Sequence, residues 1–421
     1  MAKIKAHSLT GRITLPLLAT AFRNVKRNRG AAGIDKVSIR LYEGNLAENL
    51  LALMRRLKDR TYRPLPLRRV HIPKGDGKTR PLGIPAVRDR VAQEVVRLLL
   101  NPLFERIFHD DSYGFRPARS CHQAVAKVLE FQRQGYTHVL DADIKGFFDN
   151  LPHAVIMAGV RAEVADGNIL QLVERFLKAG VMEEGGFQPT RMGTPQGGVI
   201  SPLLANIALN GLDWRLHDAG FRFVRYADDF VVLCRAEAQV KEAHALVAEH
   251  LAGIGLTLSA EKTKLTQFRE GFAFLGFVIT ARAVAMRPKS VEKFKAKIRE
   301  LTPRRHNLDQ KIVRKVNAVV RGTANYFATP FSHVKDLFRT LDRWLRMRLR
   351  AMKFKCKRRS DNWRLQQKHL VNMGFVFLGD PRPPPAVVPL WRLRQIASSW
   401  RVPLEALIMG SPGARKGHAG K

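Results

Sequence analysis

Apolar and polar positions along the chain switch between two periods, which predicts a mixed fold. Leu17, Leu18, Phe22 and Val25 recur at helical spacing over Leu15 to Arg29, and Leu46 to Leu57 repeats the pattern. Val91, Val95, Leu98 and Leu99 predict a helix over Val87 to Phe108, and Ser120 is a suitable N-cap for another to Gln132. Helices are also predicted across Pro152 to Ala179, Leu203 to Trp214 and Val240 to Leu251. Between them lie shorter β-branched and aromatic runs. Val139 to Asp149 reads as one strand that ends in carboxylates, and Arg225 to Leu233 reads as a hairpin with Asp228 and Asp229 at or near its turn. Leu256 to Lys264 and Phe272 to Ile279 are predicted to complete the sheet. Earlier, Tyr62 to Lys74 and Lys78 to Pro85 flank Gly75-Asp76-Gly77 as a basic hairpin, and their prolines predict edge strands.

Composition narrows the class. The 421 residues suffice for two or three domains, and 45% apolar residues is a globular proportion. The charge is unusual: 73 basic against 36 acidic residues leave +37. Such an excess favours a polyanionic partner, nucleic acid before a membrane surface. No run approaches the roughly 18 apolar residues of a spanning helix, so no membrane partner is expected. Met1 to Arg12 lacks an apolar signal core, which predicts an intracellular protein. Cys121, Cys234 and Cys356 are scattered and read as small fillers, and His122 and His138 have no metal-ligand spacing. Residues 281–360 hold 24 Lys or Arg against 5 Asp or Glu. Val334, Leu337, Leu341, Trp344, Leu345 and Met352 form a helical stripe there, and helices around 291–301, 310–327 and 333–353 suggest a small bundle with basic outer faces. Asp380 to Pro385 reads as a linker and the tail from Ser411 as disordered.

The candidate chemistry lies at strand ends. Adjacent carboxylates repel, and a lone Asp228-Asp229 would read as a solvated turn. Further acids change this, because the strand read over Val139 to Asp149 also ends in carboxylates. Hard divalent cations take oxygen ligands, and Mg²⁺ is commonly held by one or two carboxylates with substrate phosphates. Two such ions suit in-line phosphoryl transfer from a nucleoside triphosphate. Lys74, Lys78 and Arg80 on the basic hairpin suit a triphosphate, or equally a solvated basic turn; charge alone does not choose. Thr194 to Leu203 is a Gly-rich turn opening an apolar helix, a common arrangement by itself.

Seven segments in this order resemble a reverse transcriptase of the group II intron lineage. They are Arg80-Pro81-Leu82-Gly83-Ile84-Pro85, Ser112 to Pro117, Asp143 to Asp149, Pro195-Gln196-Gly197 with Ser201-Pro202, Tyr226-Ala227-Asp228-Asp229, Glu261-Lys262-Thr263, and Phe274-Leu275-Gly276. The resemblance runs from about residue 20 to about residue 360. It implies an α+β right-hand polymerase, with fingers and palm built on antiparallel sheet and helices, followed by an α-helical thumb or maturase domain. The implied boundaries are 1–60 for an N-terminal extension that helps hold the template, 61–285 for fingers and palm, 286–380 for the thumb, and 381–421 for a basic, partly disordered segment. Lys315 to Phe327 resembles the maturase signature, with Thr323 where the family usually has Trp. Many relatives add a zinc-containing HNH endonuclease. About sixty residues follow residue 360 without a Cys pair, so none is expected here.

Carried over by position, Asp143, Asp228 and Asp229, with the carbonyl of Ile144, would bind two Mg²⁺ ions, for which Mn²⁺ could substitute. Lys74 and Arg80 would grip the triphosphate, Gln196 would line the nucleotide pocket, and Lys262 would donate a proton to pyrophosphate. Phe148, five residues after Asp143, stands where similar enzymes place an aromatic gate against the ribose 2′-hydroxyl. Arg116, Lys311, Arg314, Arg343 and Arg346 are the candidate template or RNA contacts. The implied partners are an RNA template, a DNA or RNA primer, dNTPs and a group II intron RNA, in the cytoplasm if the source is bacterial. One reading is an RNA-directed DNA polymerase that is also a maturase. A second is the same polymerase without an intron, in host defence or DNA repair. A third, a splicing cofactor that no longer polymerises, is disfavoured by the intact acids and Phe148.

Overall fold

The computed structural model describes residues 5–75, 78–183, 185–194, 197–355 and 360–380. Gln196, Cys356, the Asp76-Gly77 turn tip, the linker beyond Asp380 and the tail lie outside the described residues, as do the side chains of Lys74 and Lys78. The chain divides into two compact units, Met1–Ala283 and Val284–Lys421. Among the described residues no helix is long and apolar enough to cross a membrane.

The first unit is built around a four-stranded sheet in the order Arg222–Tyr226, Asp229–Cys234, His138–Asp143, Lys264–Gln267. All its pairings are antiparallel. Phe230 to Cys234 are buried throughout, so helices must cover the sheet. Glu237–Gly253 packs on the two middle strands, and Cys121–Arg133 and Ser201–Asp218 pack on Arg222–Tyr226. Ser201–Asp218 buries residues on most sides, as a central helix must, and Pro202 at its start fits the first turn, where a backbone N–H has no partner to lose. Ser120 caps Cys121–Arg133 in a full capping box with Gln123, as its sequence predicts. One hydrophobic core joins Leu18 and Phe22 to Val95, Leu140, Phe230 and Val247. The helices before residue 60 therefore share the core of the sheet and do not stand apart.

A second sheet runs Lys78–Ile84, Leu67–Gly75, Val181–Glu183, Gly186–Gln188. Lys78–Ile84 is an edge, as its proline predicts. Leu67–Gly75 pairs on its other side through Leu67 and Arg68. Pro73 lies past that pairing, where the missing N–H costs no ladder bond.

Three strand expectations are corrected. The strand expected over Val139 to Asp149 ends at Asp143, because Gly146 takes a positive φ and turns the chain into the short helix Phe147–Asn150. The ladder expected over Leu256 to Lys264 is formed by Lys264–Gln267, and Leu258 contributes a single bridge to Ile144. The reason is a turn, in which the N–H groups of Lys262 and Thr263 both donate to the Ser259 carbonyl. Phe272 to Ile279 is not one strand of the main sheet. It folds back on itself, pairing Phe274 with Phe277, because Leu275 and Gly276 both take positive φ, at 47° and 82°. The Val181–Gln188 hairpin has no sequence signal, since its second strand is fully exposed and shows no alternation.

In the second unit, helices Pro288–Leu301, Gln310–Phe327 and Lys335–Phe354 match the predicted bundle. Their buried faces include Phe294, Ile298, Val316, Val320, Leu341, Leu345 and Met352. Asp309 caps the middle helix by accepting from the Ile312 N–H at 2.8 Å. Asn317 and Asp342 tie the segment 374–379 to the bundle through the N–H groups of Val376, Leu378 and Gly379.

Candidate active site

The strand period places the acids. In the hairpin, Tyr226 pairs with Asp229, which leaves Ala227 and Asp228 as a two-residue turn. On the other side Asp229 pairs with Asp143. Two strands and one turn thus bring Asp143, Asp228 and Asp229 to one end of the sheet. Ala227 takes φ +61°, a left-handed conformation that costs a non-glycine residue about 1–2 kcal/mol. The surrounding structure must hold it there.

Each acid has a different setting. Asp229 is exposed and Asp143 and Asp228 are half-buried. Burial raises the pKa of Asp228 above the ordinary carboxylate value, and the charge of Asp143 raises it further. Its own backbone N–H, Arg80 and Lys262 pull the other way. Lys262 donates to Asp143 Oδ1 at 2.8 Å. The Asp143 carbonyl accepts from the Ser259 N–H at 2.8 Å, and buried Ile144 bridges Leu258, so the strand end is anchored.

Do these groups fit divalent cations? Among the described residues no three His, Cys, Asp or Glu side chains form a ready metal cage. Mg²⁺ does not require one, because it keeps waters and takes substrate phosphates beside one or two carboxylates. The donor set is all oxygen, its acids disfavour one another's charge, and an ammonium already rests on Asp143. That is the chemistry a hard cation satisfies.

Phe148 follows Gly146, whose φ of +55° turns the strand into the short helix Phe147–Asn150. Its half-buried ring packs edge-on to Phe147 at 5.2 Å and lines a cavity of about 410 Å³ with Arg69, Pro81, Gly83, Gln188 and Arg191. The Phe148 carbonyl accepts from the Thr194 N–H at 2.8 Å. A Cβ on Gly193 would fall 2.8 Å from that carbonyl, so only glycine lets this loop lie against Phe148.

A model of the reverse transcriptase (RNA-dependent DNA polymerase) family matches residues 72–279, and one of the group II intron maturase-specific domain matches 291–370. Protein YkfC of Escherichia coli K12 is 37% identical over 300 residues, covering 62% of this chain and 79% of that protein. The chain belongs to the group II intron reverse transcriptase family. The group II intron-encoded protein LtrA of Lactococcus lactis is 30% identical over 397 residues, covering 76% of this chain; the chain spans 65% of LtrA. A telomerase structure from Candida albicans aligns at 13% identity and TM-score 0.44 over 75% of this chain and 65% of that chain, too distant to carry an argument. This group II intron-type chain thus carries an RNA-directed DNA polymerase domain, from a family that generally uses divalent metals, and its maturase domain implies an RNA partner such as intron RNA.

The structure brings Asp143, Ile144, Asp228, Asp229 and Lys262 together, and the charge of exposed Arg80 reaches Asp228. It removes Arg116 from the RNA contacts. That guanidinium is buried, donates to Glu105 Oε1 at 2.7 and 2.9 Å and to the carbonyls of His109 and Ser112, and lies over the Phe108 ring. It holds its loop and has no face left for phosphate. Lys311, Arg314 and Arg343 are exposed on the maturase-domain helices. Arg346 is half-buried over the Phe377 ring, and burial lowers its pKa.

Asn206, Asp213 and Arg225 escape a reading of the sequence, yet they lie buried behind the turn. One signal exists: strand alternation puts Arg225 on the same inward face as Phe223. Gly114, in the Ser112 to Pro117 loop, meets the turn directly, since a Cβ there would lie 2.3 Å from the Ala227 nitrogen. Gly114→Ala is expected to displace the turn and lower primer extension about tenfold or more, because small misplacement of catalytic groups is costly. Wild-type extension rates in the folded variant would contradict this.

Proposed function

We propose that this chain extends a DNA or RNA primer with dNTPs on an RNA template at the acidic end of the sheet, with two Mg²⁺ ions as cofactors. The observation that carries the proposal is the register: Asp143 opposite Asp229, with Asp228 in the adjoining turn. Asp143, Asp228, Asp229 and the Ile144 carbonyl would hold the ions. Bound divalent ions acidify a primer 3′-hydroxyl and neutralise charge on a leaving pyrophosphate. The chain itself positions the reactants. Arg80, exposed on the edge strand opposite Ile72, is available to fork around triphosphate oxygens. Lys262, already a donor within reach of the acids, supplies a proton to pyrophosphate. Residues 61–285 serve as fingers and palm and 286–380 as thumb, and the helices before residue 60 support the template. Exposed thumb cations hold RNA, group II intron RNA included, through its backbone.

Phe148→Ala tests the nucleotide pocket. The ring excludes a 2′-hydroxyl by occupying its space, a repulsive form of specificity. Single-nucleotide incorporation with matched rNTP and dNTP should show discrimination falling about tenfold or more. An unchanged ratio would leave the ring as packing against Phe147 alone.

A further inference from the structure

We infer that Arg225 is a positioning residue for the catalytic turn, acting from inside the core on the orientation of Asp228. The inference rests on the metal-site reading above. Arg225 is 1% exposed and its partners Asp213 and Asn206 are 0% and 1% exposed. Its Nε and Nη2 donate to the two oxygens of Asp213 at 2.7 and 2.5 Å. Nη1 donates to Asn206 Oδ1 and to the Ala227 carbonyl, both at 2.9 Å. Asn206 in turn donates to the Gly114 carbonyl at 2.8 Å, and Gly114 lies against the turn. The strand is pinned as well, because the Arg225 N–H donates to the Asp111 carbonyl and its own carbonyl accepts from the Tyr113 N–H.

The bond to Ala227 is the informative one. The Ala227 carbonyl and the Asp228 N–H belong to one planar peptide. Fixing the oxygen therefore fixes the direction of the N–H. The Asp228 Cα lies in that same plane, so fixing the plane fixes where the Asp228 side chain starts. Arg225 thus orients the rigid plane from which Asp228 projects, without touching substrate. Ala227 sits in a left-handed conformation that it would not hold unaided. Stability alone does not call for this arrangement, since buried ion pairs can often be replaced by apolar residues of similar volume at no loss. An apolar pair could fill the space but could not donate to Ala227.

The test replaces the pair with Arg225→Met and Asp213→Leu, which leaves no buried charge unpartnered. Binding of Mn²⁺ is read by electron paramagnetic resonance on a complex with RNA template, dideoxy-terminated primer and matched dNTP, where no turnover occurs. The dependence of single-turnover extension on Mg²⁺ is read in parallel with an extendable primer. The melting temperature and RNA affinity should stay near wild type. Mn²⁺ affinity should fall about tenfold and half-saturating Mg²⁺ should rise about tenfold, as expected for a misdirected carboxylate. Wild-type ion affinity in the folded double variant overturns the inference. If that variant does not fold, Arg225→Lys decides: one ammonium keeps the charge beside Asp213 but cannot also hold Ala227 as the fork does. Its ion affinity should fall severalfold, and a wild-type value overturns the inference equally. Asp228→Ala/Asp229→Ala is the control. Ion binding lost there but intact in the Arg225 variants rejects the positioning role alone; ion binding intact in the control rejects the metal site and the positioning role together.

Discussion

Asp228→Ala/Asp229→Ala is expected to abolish primer extension on an RNA template while leaving the fold and RNA binding intact. Loss of groups that stabilise charge on a transferring phosphate costs about a hundredfold or more in rate. Here two of the three acids at the sheet end would go at once. Asp229 is exposed and Asp228 is disfavoured as an anion by burial and by Asp143, so their removal creates no core cavity and relieves repulsion. Exposed Lys311, Arg314 and Arg343 lie on helices of the second unit, so RNA affinity should stay within about twofold of wild type. Assisted splicing should persist, because it draws on RNA binding. Extension and RNA affinity measured on one purified preparation check both halves. Retained synthesis would remove the metal-site assignment. Lost binding with an intact fold would mean that the acids and the RNA grip are coupled.

RNA affinity is expected to fall steeply with salt, by about 10³-fold or more between roughly 50 and 200 mM if six or more phosphates are engaged. The cause is release of condensed counterions by Lys and Arg. The net charge of +37, and 24 basic against 5 acidic residues over 281–360, supply the cations. Replacing Lys311, Arg314 or Arg343 singly with Gln should lower the log–log slope by about 1. Arg116→Gln should leave the slope unchanged and lower stability, because its guanidinium serves Glu105 and two backbone carbonyls. A flat dependence would contradict phosphate binding by the maturase-domain helices.

The site was legible in the sequence wherever local pattern sets geometry. A period of two, interrupted by a two-residue turn, is enough to put Asp228 and Asp229 at a strand end, whereas the strand carrying Asp143 reads on to Asp149 because pattern does not show the positive φ of Gly146. The bundle helices were legible because their apolar stripes repeat over several turns. What failed depended on partners distant in the chain or on turn chemistry within an apolar run. Arg116 looks like any loop cation until Glu105 is folded beside it. Leu275 and Gly276 break a run that composition alone presents as one strand. Arg225 and Asp213 are twelve residues apart on a strand and a helix, and only packing reveals that they face each other.

The most direct measurement is single-nucleotide incorporation by the wild-type protein on a primed RNA template, with each dNTP in turn and with Mg²⁺ present or chelated. Addition of the complementary dNTP alone, lost on chelation and restored by Mg²⁺, is the expected result. A protein that binds the primed template yet adds no nucleotide with Mg²⁺ or Mn²⁺ would contradict the assignment of Asp143, Asp228 and Asp229 as a polymerase site.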